Sequence, residues 1–283
     1  MMALRTLPVL PATAGLYARL LWPKRASGTS APEVTVQVES QRTDPARLAD
    51  YNRLCGFPLR DRLPATWLHV LGFGLQLEVL ADPTFPIGLA GVVHAANRIT
   101  QHRPVLIGES LTLSARTTGL HAHPRGVMID LASRAEVAGD VVWEGASRYL
   151  SLGVRLAGLS PSQPEAEPDL AALTTAAFWR LPGDLGRSYA AVSGDVNPIH
   201  LSVPTALLFG FRRPIIHGMW THARVLAALD SRLPDAFMVD VRFRRPISLP
   251  GRVRFAVGSR TDGFDAAVTN VDGSKAYLTA CVT

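Results

Sequence analysis

The same order of sequence patterns occurs twice along this chain, and this internal repeat limits the possible folds more than any other feature. In each half, a proline precedes a long apolar stretch of helical length, at 63–80 and again at 214–229. An Arg-Pro pair follows each stretch, and segments typical of strands follow that pair. Strands are predicted at 110–118, 126–136, 141–150, 252–260, 264–270 and 275–282. The sequence therefore predicts two tandem α+β units, each with one central helix and an antiparallel meander.

Turn residues between these strands support the antiparallel order. The Asp-Gly pairs at 262–263 and 272–273 are strong hairpin signals, because glycine adopts the positive φ that tight turns need. The Ala-Gly-Asp stretch at 138–140 has the same role in the first half. Each half is therefore predicted to build its sheet from strands that are neighbours in sequence.

Composition divides the chain into four predicted parts. Residues 1–30 form an N-terminal helical extension, and 31–159 form the first unit, which opens with a half-buried strand of alternating valines. Residues 160–173 are the predicted linker, because Pro, Glu and Ser are concentrated there. Residues 174–283 form the second unit.

The N-terminal extension resembles a signal peptide only superficially. Pro8 and Pro11 break its apolar run, and the amphipathic segment 16–22 contains Arg19. No stretch reaches the roughly 18 uninterrupted apolar residues of a membrane span. We expect a short helix packed on the body of the protein, with export and binding to a membrane surface as alternatives.

Composition favours a well-buried globular protein. Of the 283 residues, 47% are hydrophobic and 18% are charged, which allows a sizeable core and argues against long disorder. Cys55 and Cys281 are too few for a disulfide framework and indicate a reducing compartment, for which we expect the cytoplasm. The formal net charge of +6 has two possible explanations: a general bias towards arginine, or a function in attracting an anionic ligand. No basic run is interleaved with aromatic residues, so nucleic acid is not an expected partner.

The second unit contains a compact group of polar side chains. Its segment 189–200 reads Tyr-Ala-Ala-Val-Ser-Gly-Asp-Val-Asn-Pro-Ile-His. Pro198 fixes its own φ and disfavours the helical region for the residue before it, while Gly194 permits a turn. We predict a rigid loop, neither helix nor strand, that holds Asp195 and His200 as a general acid/base pair. The alternative is an ordinary turn, since Asp, Asn, Gly and Pro are all turn formers.

A second polar feature precedes the predicted helix of this unit. After Pro214, an apolar run ends at His217 and Gly218, where the helix is expected to begin. The N–H of a glycine at a helix start, aided by the helix dipole, can stabilise an oxygen that gains negative charge. The two features together favour chemistry on a small molecule over a simple turn.

These two motifs resemble the signatures of a known family. The string Tyr-x-x-Val-Ser-Gly-Asp-x-Asn-Pro-Ile-His at 189–200 is similar to the hydratase motif of the R-specific enoyl-CoA hydratases, or MaoC-like dehydratases. Ile-His-Gly-Met at 216–219 matches their second signature. The resemblance is strong from about residue 174 onward and weak before it. It implies a hotdog fold, in which a curved antiparallel sheet wraps one long helix, and for this chain a tandem, or double, hotdog.

The resemblance also implies roles for individual residues. In the family, the Asp and the His hold a water, and the N–H of the glycine after the second His binds the thioester oxygen. The expected site comprises catalytic Asp195, His200 and Asn197, oxyanion-binding Gly218, and substrate-binding Tyr189, Ser193, Pro198, His217 and Arg245. Arg245 is included because arginines at 242–245 lie on a predicted strand where they could meet phosphates. We expect His200 to act on the water, Asp195 on the α-carbon of the substrate, and Asn197 to brace the pair.

The expected function is that of an (R)-specific 3-hydroxyacyl-thioester dehydratase, or trans-2-enoyl-CoA hydratase, in fatty-acid metabolism or elongation. Its substrate would be an acyl-CoA or a thioester of acyl carrier protein (acyl-ACP), both of them anionic. No cofactor is expected, and no metal, because the histidines at 94, 102, 121 and 123 lack a repeated ligand spacing. The tandem units would form a monomeric pseudo-dimer or pair further into a homodimer.

The first unit lacks the Asp-x-Asn-Pro-x-His motif, and its residues 67–68 fall where the second unit has His217 and Gly218. We therefore expect a non-catalytic unit. Its apolar residues would shape a tunnel for an acyl chain, would only complete a shared core, or would do both. His222, on the helix of the second unit, is expected to form a local hydrogen bond.

Other functional classes remain open from the sequence. A hotdog acyl-CoA thioesterase would release free thiol, and a non-catalytic acyl-thioester-binding protein would bind without turnover. A nucleic-acid binder would show salt-sensitive DNA binding. Ser193 is close to His200 in sequence, and a serine nucleophile would additionally need a histidine within hydrogen-bond reach and an orienting acid.

Overall fold

The computed structural model describes residues 3–20, 30–88, 92–162 and 169–283. The predicted end of the N-terminal helix at Trp22 and part of the predicted linker, at 163–168, lie outside these residues. None of the helices in the described ranges is long and apolar enough to cross a membrane.

The chain has two halves with the same succession of elements, apart from one short extra helix in the second half, and a short N-terminal segment precedes them. That segment contains β1 (Ala3–Leu7) and α1 (Thr13–Leu20). The first half contains β2 (Val34–Gln41), α2 (Pro45–Cys55), α3 (Ala65–Leu80), β3 (Val92–Gln101), β4 (Leu111–His123), β5 (Gly126–Val137) and β6 (Asp140–Leu152). The second half contains β7 (Thr174–Leu181), α4 (Leu185–Ser193), α5 (Val203–Leu207), α6 (Gly218–Leu229), β8 (Phe237–Phe243), β9 (Gly251–Arg260), β10 (Gly263–Thr269) and β11 (Ala276–Val282). Short 3-10 turns lie at Pro198–His200 and Asp230–Arg232.

The described strands form one eleven-stranded sheet in the order β1-β2-β4-β5-β6-β3-β8-β11-β10-β9-β7. Only β1 and β2 pair in parallel; the other pairs are antiparallel. The order β2-β4-β5-β6-β3 of the first half is repeated in the second half as β7-β9-β10-β11-β8. β3 pairs with β8, from Ala96 opposite Arg242 to Gln101 opposite Phe237, and joins both halves into one sheet.

Alternation along the strands places one face of the sheet in the core. In β11 every second residue is buried: Ala276, Leu278, Ala280 and Val282. Cys281 lies between two of these and is only half-buried, whereas Cys55 is fully buried in α2. The hairpin before β10 turns at Gly263, where φ is 152° and a Cβ would lie 1.9 Å from the Val282 carbonyl oxygen, so that only glycine fits.

Each half surrounds one long helix with its strands. α3 is apolar on all sides, and all its residues except Glu78 are buried. α6 is buried over most of its length, from Met219 near its start to Leu229 at its end, with Ala228 exposed. The N-terminal helix α1 packs on the body through Leu16 and Leu20. The predicted double hotdog is confirmed.

The starts of the two central helices differ from the alignment expected from the sequence. α3 begins at Ala65, directly after Pro64, whereas three residues separate α6 from its proline. Pro64 thus occupies the place of His217, and Ala65 that of Gly218. The expected correspondence of 67–68 with these two residues is therefore wrong by three positions. The first half still has no His-Gly pair at its helix start.

Candidate active site

The connection between α4 and α6 contains the predicted catalytic residues. α4 ends at Gly194, which has a φ of 79° and donates its N–H to the Ala190 carbonyl. A 3-10 turn then begins at Pro198, whose fixed φ suits the first position of a helical turn. The prediction of a continuous loop over 189–200 is therefore wrong at both ends, since α4 extends through Ser193 and the turn covers the last three residues.

Asp195 follows the end of α4 and is held by four other residues. Its carboxylate accepts hydrogen bonds from the Tyr17 hydroxyl at 2.5 Å and from the Asn197 N–H at 3.2 Å. Its own N–H donates to Ser193 Oγ at 3.1 Å, and its carbonyl accepts from His217 Nε2–H at 2.9 Å. Both the side chain and the backbone of Asp195 are thus fixed in position.

His200 is buried, and a backbone carbonyl sets its tautomer. Its Nδ1 lies 2.7 Å from the Ile215 carbonyl oxygen, which can only accept, so Nδ1 carries the proton and Nε2 keeps a lone pair. The ring stacks on His217 with 3.6 Å between the centroids. His217 donates from Nε2 to the Asp195 carbonyl, which leaves its Nδ1 without a proton in the neutral ring. His200 therefore presents a nitrogen that can accept a proton.

Asp195 and His200 have complementary charge states at neutral pH. Burial raises the pKa of Asp195, but the neighbouring His217 and His200 and the hydrogen bonds from Tyr17 and Asn197 outweigh it, so this pKa lies below its usual value. Burial and the adjacent His217 lower the pKa of His200 to about 3. The result is an ionised carboxylate beside a neutral imidazole.

Gly218 places an unpaired backbone donor beside these groups. It is the first residue of α6, and the preceding His217 makes no side-chain cap. The first N–H groups of a helix have no intrahelical partner, and the helix dipole favours negative charge at this end. A Cβ on Gly218 would lie 2.9 Å from the Phe243 ring, so the close packing of this ring requires glycine. The Gly218 N–H can therefore stabilise an oxygen that becomes negative.

A cavity of about 380 Å³ connects these groups, and both halves of the molecule line it. The first half contributes apolar side chains of α3, among them Val70, Phe73 and Leu77. It also contributes five polar side chains: His69, Gln76, His94, Arg125 and Tyr149. The cavity can accept an acyl chain, but its wall is less apolar than the sequence indicated.

Most of the predicted site residues line this cavity: Tyr189, Ser193, Asp195, Asn197, His200, His217, Gly218 and Arg245. Pro198 is not among the lining residues; it shapes the 3-10 turn, and its carbonyl accepts a hydrogen bond from the Thr205 hydroxyl at 2.7 Å. Arg245 is exposed and donates to the Ala276 carbonyl at 3.1 Å.

Asp195, His200 and His217 lie close enough together to hold a metal ion. Each offers one ligand atom, and these atoms lie within 4.8 Å of one another. Two imidazoles and one carboxylate form a common donor set for transition metals. The hydrogen bonds described above leave His200 Nε2 and His217 Nδ1 as the available nitrogens. The expected absence of a metal therefore stays a prediction.

His222 does not have its expected hydrogen bond. It is buried in α6, and neither of its ring nitrogens has a hydrogen-bond partner among the described residues. Burial first, and the neighbouring His69 second, lower the pKa of His222 to about 3. The imidazole is therefore neutral at physiological pH.

Comparison with known proteins agrees with this geometry. A family model described as "MaoC like domain" matches residues 162–275. The 3-hydroxyacyl-thioester dehydratase X of Mycobacterium tuberculosis is 35% identical over 252 residues, which cover 89% of each of the two chains. The chain belongs to the MaoC-like dehydratase family.

Solved structures show the same MaoC-like architecture. The crystal structure of HtdX from Mycobacterium tuberculosis has a TM-score of 0.77 and 33% identity, and the match covers 88% of this chain and 98% of that one. A second Mycobacterium tuberculosis protein, described as having a double hotdog fold, has a TM-score of 0.55 at 14% identity and covers 95% of this chain and 96% of its own. The second likeness supports the fold alone.

Several polar residues of the cavity lie outside the part of the chain that the MaoC-like family model matches, among them Tyr17, His69 and Tyr149. A repeated Trp-x-His pattern, at 67–69 in α3 and at 220–222 in α6, is a sequence signal for His69. Tyr17 has no such signal, because its role depends on a contact between distant parts of the chain.

Proposed function

We propose that this protein adds water to trans-2-enoyl thioesters and removes it from (3R)-3-hydroxyacyl thioesters. The observation that carries the proposal is the ionised Asp195 beside a neutral His200 with a free Nε2, in one cavity with the Gly218 N–H. The Mycobacterium tuberculosis relative named as a 3-hydroxyacyl-thioester dehydratase supports the same reaction class, and with it a place in fatty-acid metabolism.

In the hydration direction, His200 begins the reaction. Its Nε2 accepts a proton from water as the water oxygen bonds to the β-carbon of the substrate. The double-bond electrons move towards the thioester carbonyl, and the Gly218 N–H stabilises the resulting enolate oxygen. Asn197 fixes the Asp195 carboxylate through its N–H, and its side chain caps the turn by accepting from the Ile199 N–H.

The α-carbon then receives a proton from the Asp195–His200 pair. An ionised Asp195 has no proton to give at the outset, so the proton that reaches the α-carbon is the one that left the water. We assign the transfer to the α-carbon to Asp195, with the proton exchanged inside the pair, and the pair returns to its starting state. In the dehydration direction, the same carboxylate is the base that removes the α-proton.

The thioester carrier is proposed to be CoA or acyl carrier protein. Arg244 and Arg245 both line the cavity, and Arg245 is exposed, so it can meet a phosphate at the entrance. The net charge of +6 favours either anionic carrier. We further propose that residues 31–159 are non-catalytic, that the chain acts in the cytoplasm, and that it is a monomeric pseudo-dimer or a homodimer.

A hydration assay tests this function. The wild type and Asp195→Asn are incubated with short- and long-chain trans-2-enoyl-CoA, and the loss of conjugated-thioester absorbance and the chirality of the product are measured. We expect the wild type alone to form the (3R)-hydroxyacyl thioester. Release of free thiol would instead indicate a thioesterase. Binding without turnover, on CoA and on carrier-protein thioesters alike, would overturn the proposal in favour of a silent binder.

A further inference from the structure

The N-terminal segment is anchored on the first half of the molecule. β1 adds to the edge of the sheet by pairing in parallel with β2, and Arg5 forms an ion pair with Glu78 of α3 at 3.2 Å. α1 buries Leu16 and Leu20 against the core. This segment therefore has a fixed position relative to α3.

From this position α1 contacts the catalytic loop of the second half. Thr13 Oγ1 donates to the Gly194 carbonyl at 2.6 Å, and the Tyr17 hydroxyl donates to Asp195 Oδ1 at 2.5 Å. Thr13 and Tyr17 are four residues apart and thus lie on one face of the helix. One helix face holds both the backbone before Asp195 and the carboxylate itself.

We propose that α1 is part of the active site and that Tyr17 is a positioning residue for the Asp195 carboxylate. This inference rests on the proposed catalytic role of Asp195. A short hydrogen bond to an ionised group is among the stronger interactions in proteins, and it fixes one carboxylate oxygen so that the other can face the substrate. Burial raises the pKa of Tyr17 well above 10, so the hydroxyl stays protonated and remains a donor.

Tyr17→Phe tests the inference, because it removes the hydroxyl but keeps the ring beside Phe73. We expect kcat/KM for hydration to fall about tenfold to a hundredfold. The hydrogen bond lowers the pKa of Asp195, so its loss raises that pKa and moves the acid limb of the kcat/KM profile to higher pH. Thr13→Val, which removes the second contact, should give a smaller loss.

Arg19→Ala is the matched control. It removes a different contact of α1, from Arg19 to the Ala81 carbonyl at 3.3 Å, and should leave kcat and the pH profile unchanged. The positioning role would be overturned if Tyr17→Phe and Arg19→Ala lowered kcat/KM equally. It would also be overturned if Tyr17→Phe lowered kcat/KM without shifting the acid limb of the pH profile. If the wild type shows no hydration, a double-mutant cycle of Tyr17→Phe with Asp195→Ala, which removes the acceptor, still tests the contact on unfolding midpoints, and additivity would refute it.

A second inference comes independently from the wall of the cavity that the first half supplies. His69 of α3 is 3% exposed, and its Nδ1 is buried with no hydrogen-bond partner among the described residues. The same holds for His94 Nε2, on a ring that stacks on Tyr149 with 4.4 Å between centroids. The two imidazoles are 5.9 Å apart and both line the cavity. Buried nitrogens of this kind are costly unless a ligand or solvent satisfies them.

The charge state of these imidazoles restricts the ligand. Burial lowers the pKa of His69 to about 4 and that of His94 well below its usual value. Neutral imidazoles offer one donor and one acceptor each and give no charge for a carboxylate or phosphate to pair with. Such a pair fits a hydroxyl or a carbonyl oxygen.

We also infer that His69 and His94 form a polar subsite for an uncharged oxygen function on the acyl chain of the substrate. This inference deepens the proposed function by naming a class of substrate: acyl thioesters that carry a hydroxyl or oxo group in addition to the one at the reacting carbon. A plain alkyl chain would leave the two nitrogens without a substrate partner.

The test compares trans-2-enoyl-CoA substrates of equal length, with and without a hydroxyl or oxo group further along the chain. For the wild type we expect a higher kcat/KM with an oxygenated substrate. His94→Phe and His69→Leu should each lower the preference, which is the ratio of kcat/KM for the oxygenated substrate to kcat/KM for the alkyl substrate, about tenfold. The exposed His102→Gln is the control.

An equal loss of kcat/KM on both substrates would place the imidazoles against the pantetheine part, which both substrates share, and would overturn the subsite. A wild type with equal kcat/KM for the oxygenated and the alkyl substrate would overturn it as well. If neither substrate turns over, the proposed function fails separately. Calorimetric binding of oxygenated and alkyl acyl-CoA then decides the subsite, and equal affinities would refute it.

Discussion

The two halves of this protein leave their first helices in the same way and then diverge. α2 ends at Gly56 and α4 at Gly194, with φ values of 83° and 79°. A tyrosine lies five residues before each glycine, and the rings of Tyr51 and Tyr189 are 6.2 Å apart. The residue after the glycine is Phe57 in the first half, and it packs on Tyr51 with 6.3 Å between ring centroids. In the second half this position is occupied by Asp195.

The connections that follow have different lengths. In the first half, residues 57–64 lead directly to α3, whereas in the second half residues 195–217 contain a 3-10 turn and α5 before α6 begins. His200 and His217 both lie in the longer connection. The comparison shows that the predicted catalytic residues lie in one lengthened connection, while the strands and central helices are shared by both halves.

The largest effect is expected at the position where the halves first differ. Asp195→Asn removes the negative charge but keeps the shape of the side chain, and we expect hydration to slow by about 10³- to 10⁴-fold. Circular dichroism and the unfolding midpoint should stay close to those of the wild type. The matched change Phe57→Leu should lower stability without slowing the reaction per folded molecule. A slow Phe57→Leu enzyme would mean that the first half takes part in the chemistry.

The helix starts provide the next comparison. In Gly218→Ala the new methyl group meets the Phe243 ring at 2.9 Å, and the shift that follows displaces the oxyanion donor, so we expect kcat to fall about a hundredfold. Ala65→Gly makes the converse change in the first half. It should cost about 1 kcal/mol of unfolding free energy or less and leave kcat unchanged. Equal kcat values for the wild type and Gly218→Ala would exclude Gly218 as the oxyanion donor.

The smallest effect concerns a feature that both halves keep. His69 and His222 occupy the fifth position of α3 and of α6, are buried, and have pKa values lowered to about 4 and about 3. Below about pH 6.5 the unfolded chain binds a proton on each of these histidines, whereas the folded chain does so only near the lowered pKa. The free energy of unfolding is therefore highest above about pH 6.5 and falls as the pH approaches the folded-state pKa values. In this window each histidine adds about 1.4 kcal/mol per pH unit to the slope of unfolding free energy against pH. Urea unfolding between pH 4.5 and 6.5 should show a shallower slope for His222→Leu and an unchanged slope for the exposed His102→Gln.

Local signals were sufficient for much of the fold. β11 follows its alternating pattern, the hairpin at Gly263 follows its Asp-Gly signal, and α3 follows its long apolar run. The composition of the catalytic connection also follows from local rules, because Pro198 and Gly194 restrict the backbone wherever they occur. The predicted roles of its residues remain predictions until the variants are measured.

Other elements depend on distant partners and gave no local signal. β1 is a short edge strand that exists because β2 offers it a parallel partner. β3 buries the polar residues Asn97 and Gln101, so its sequence does not show the alternation of apolar and polar residues that predicts a strand. The Tyr17 hydrogen bond joins residues 178 positions apart. Propensity and periodicity describe neighbours in sequence, so they do not report such contacts.

The β3–β8 ladder also bears on how such a chain can change over generations. In an assembly of identical subunits, every substitution appears in all copies at once. A residue that lines the cavity in one subunit therefore cannot change without the same change at the equivalent position of the subunit that holds the catalytic residues. Here both halves are encoded once, in tandem, and the ladder keeps them in fixed register. The first half can therefore accumulate substitutions in the cavity wall while the candidate catalytic residues of the second half stay unchanged. The cavity wall and the candidate catalytic residues can thus be inherited with separate changes in one polypeptide.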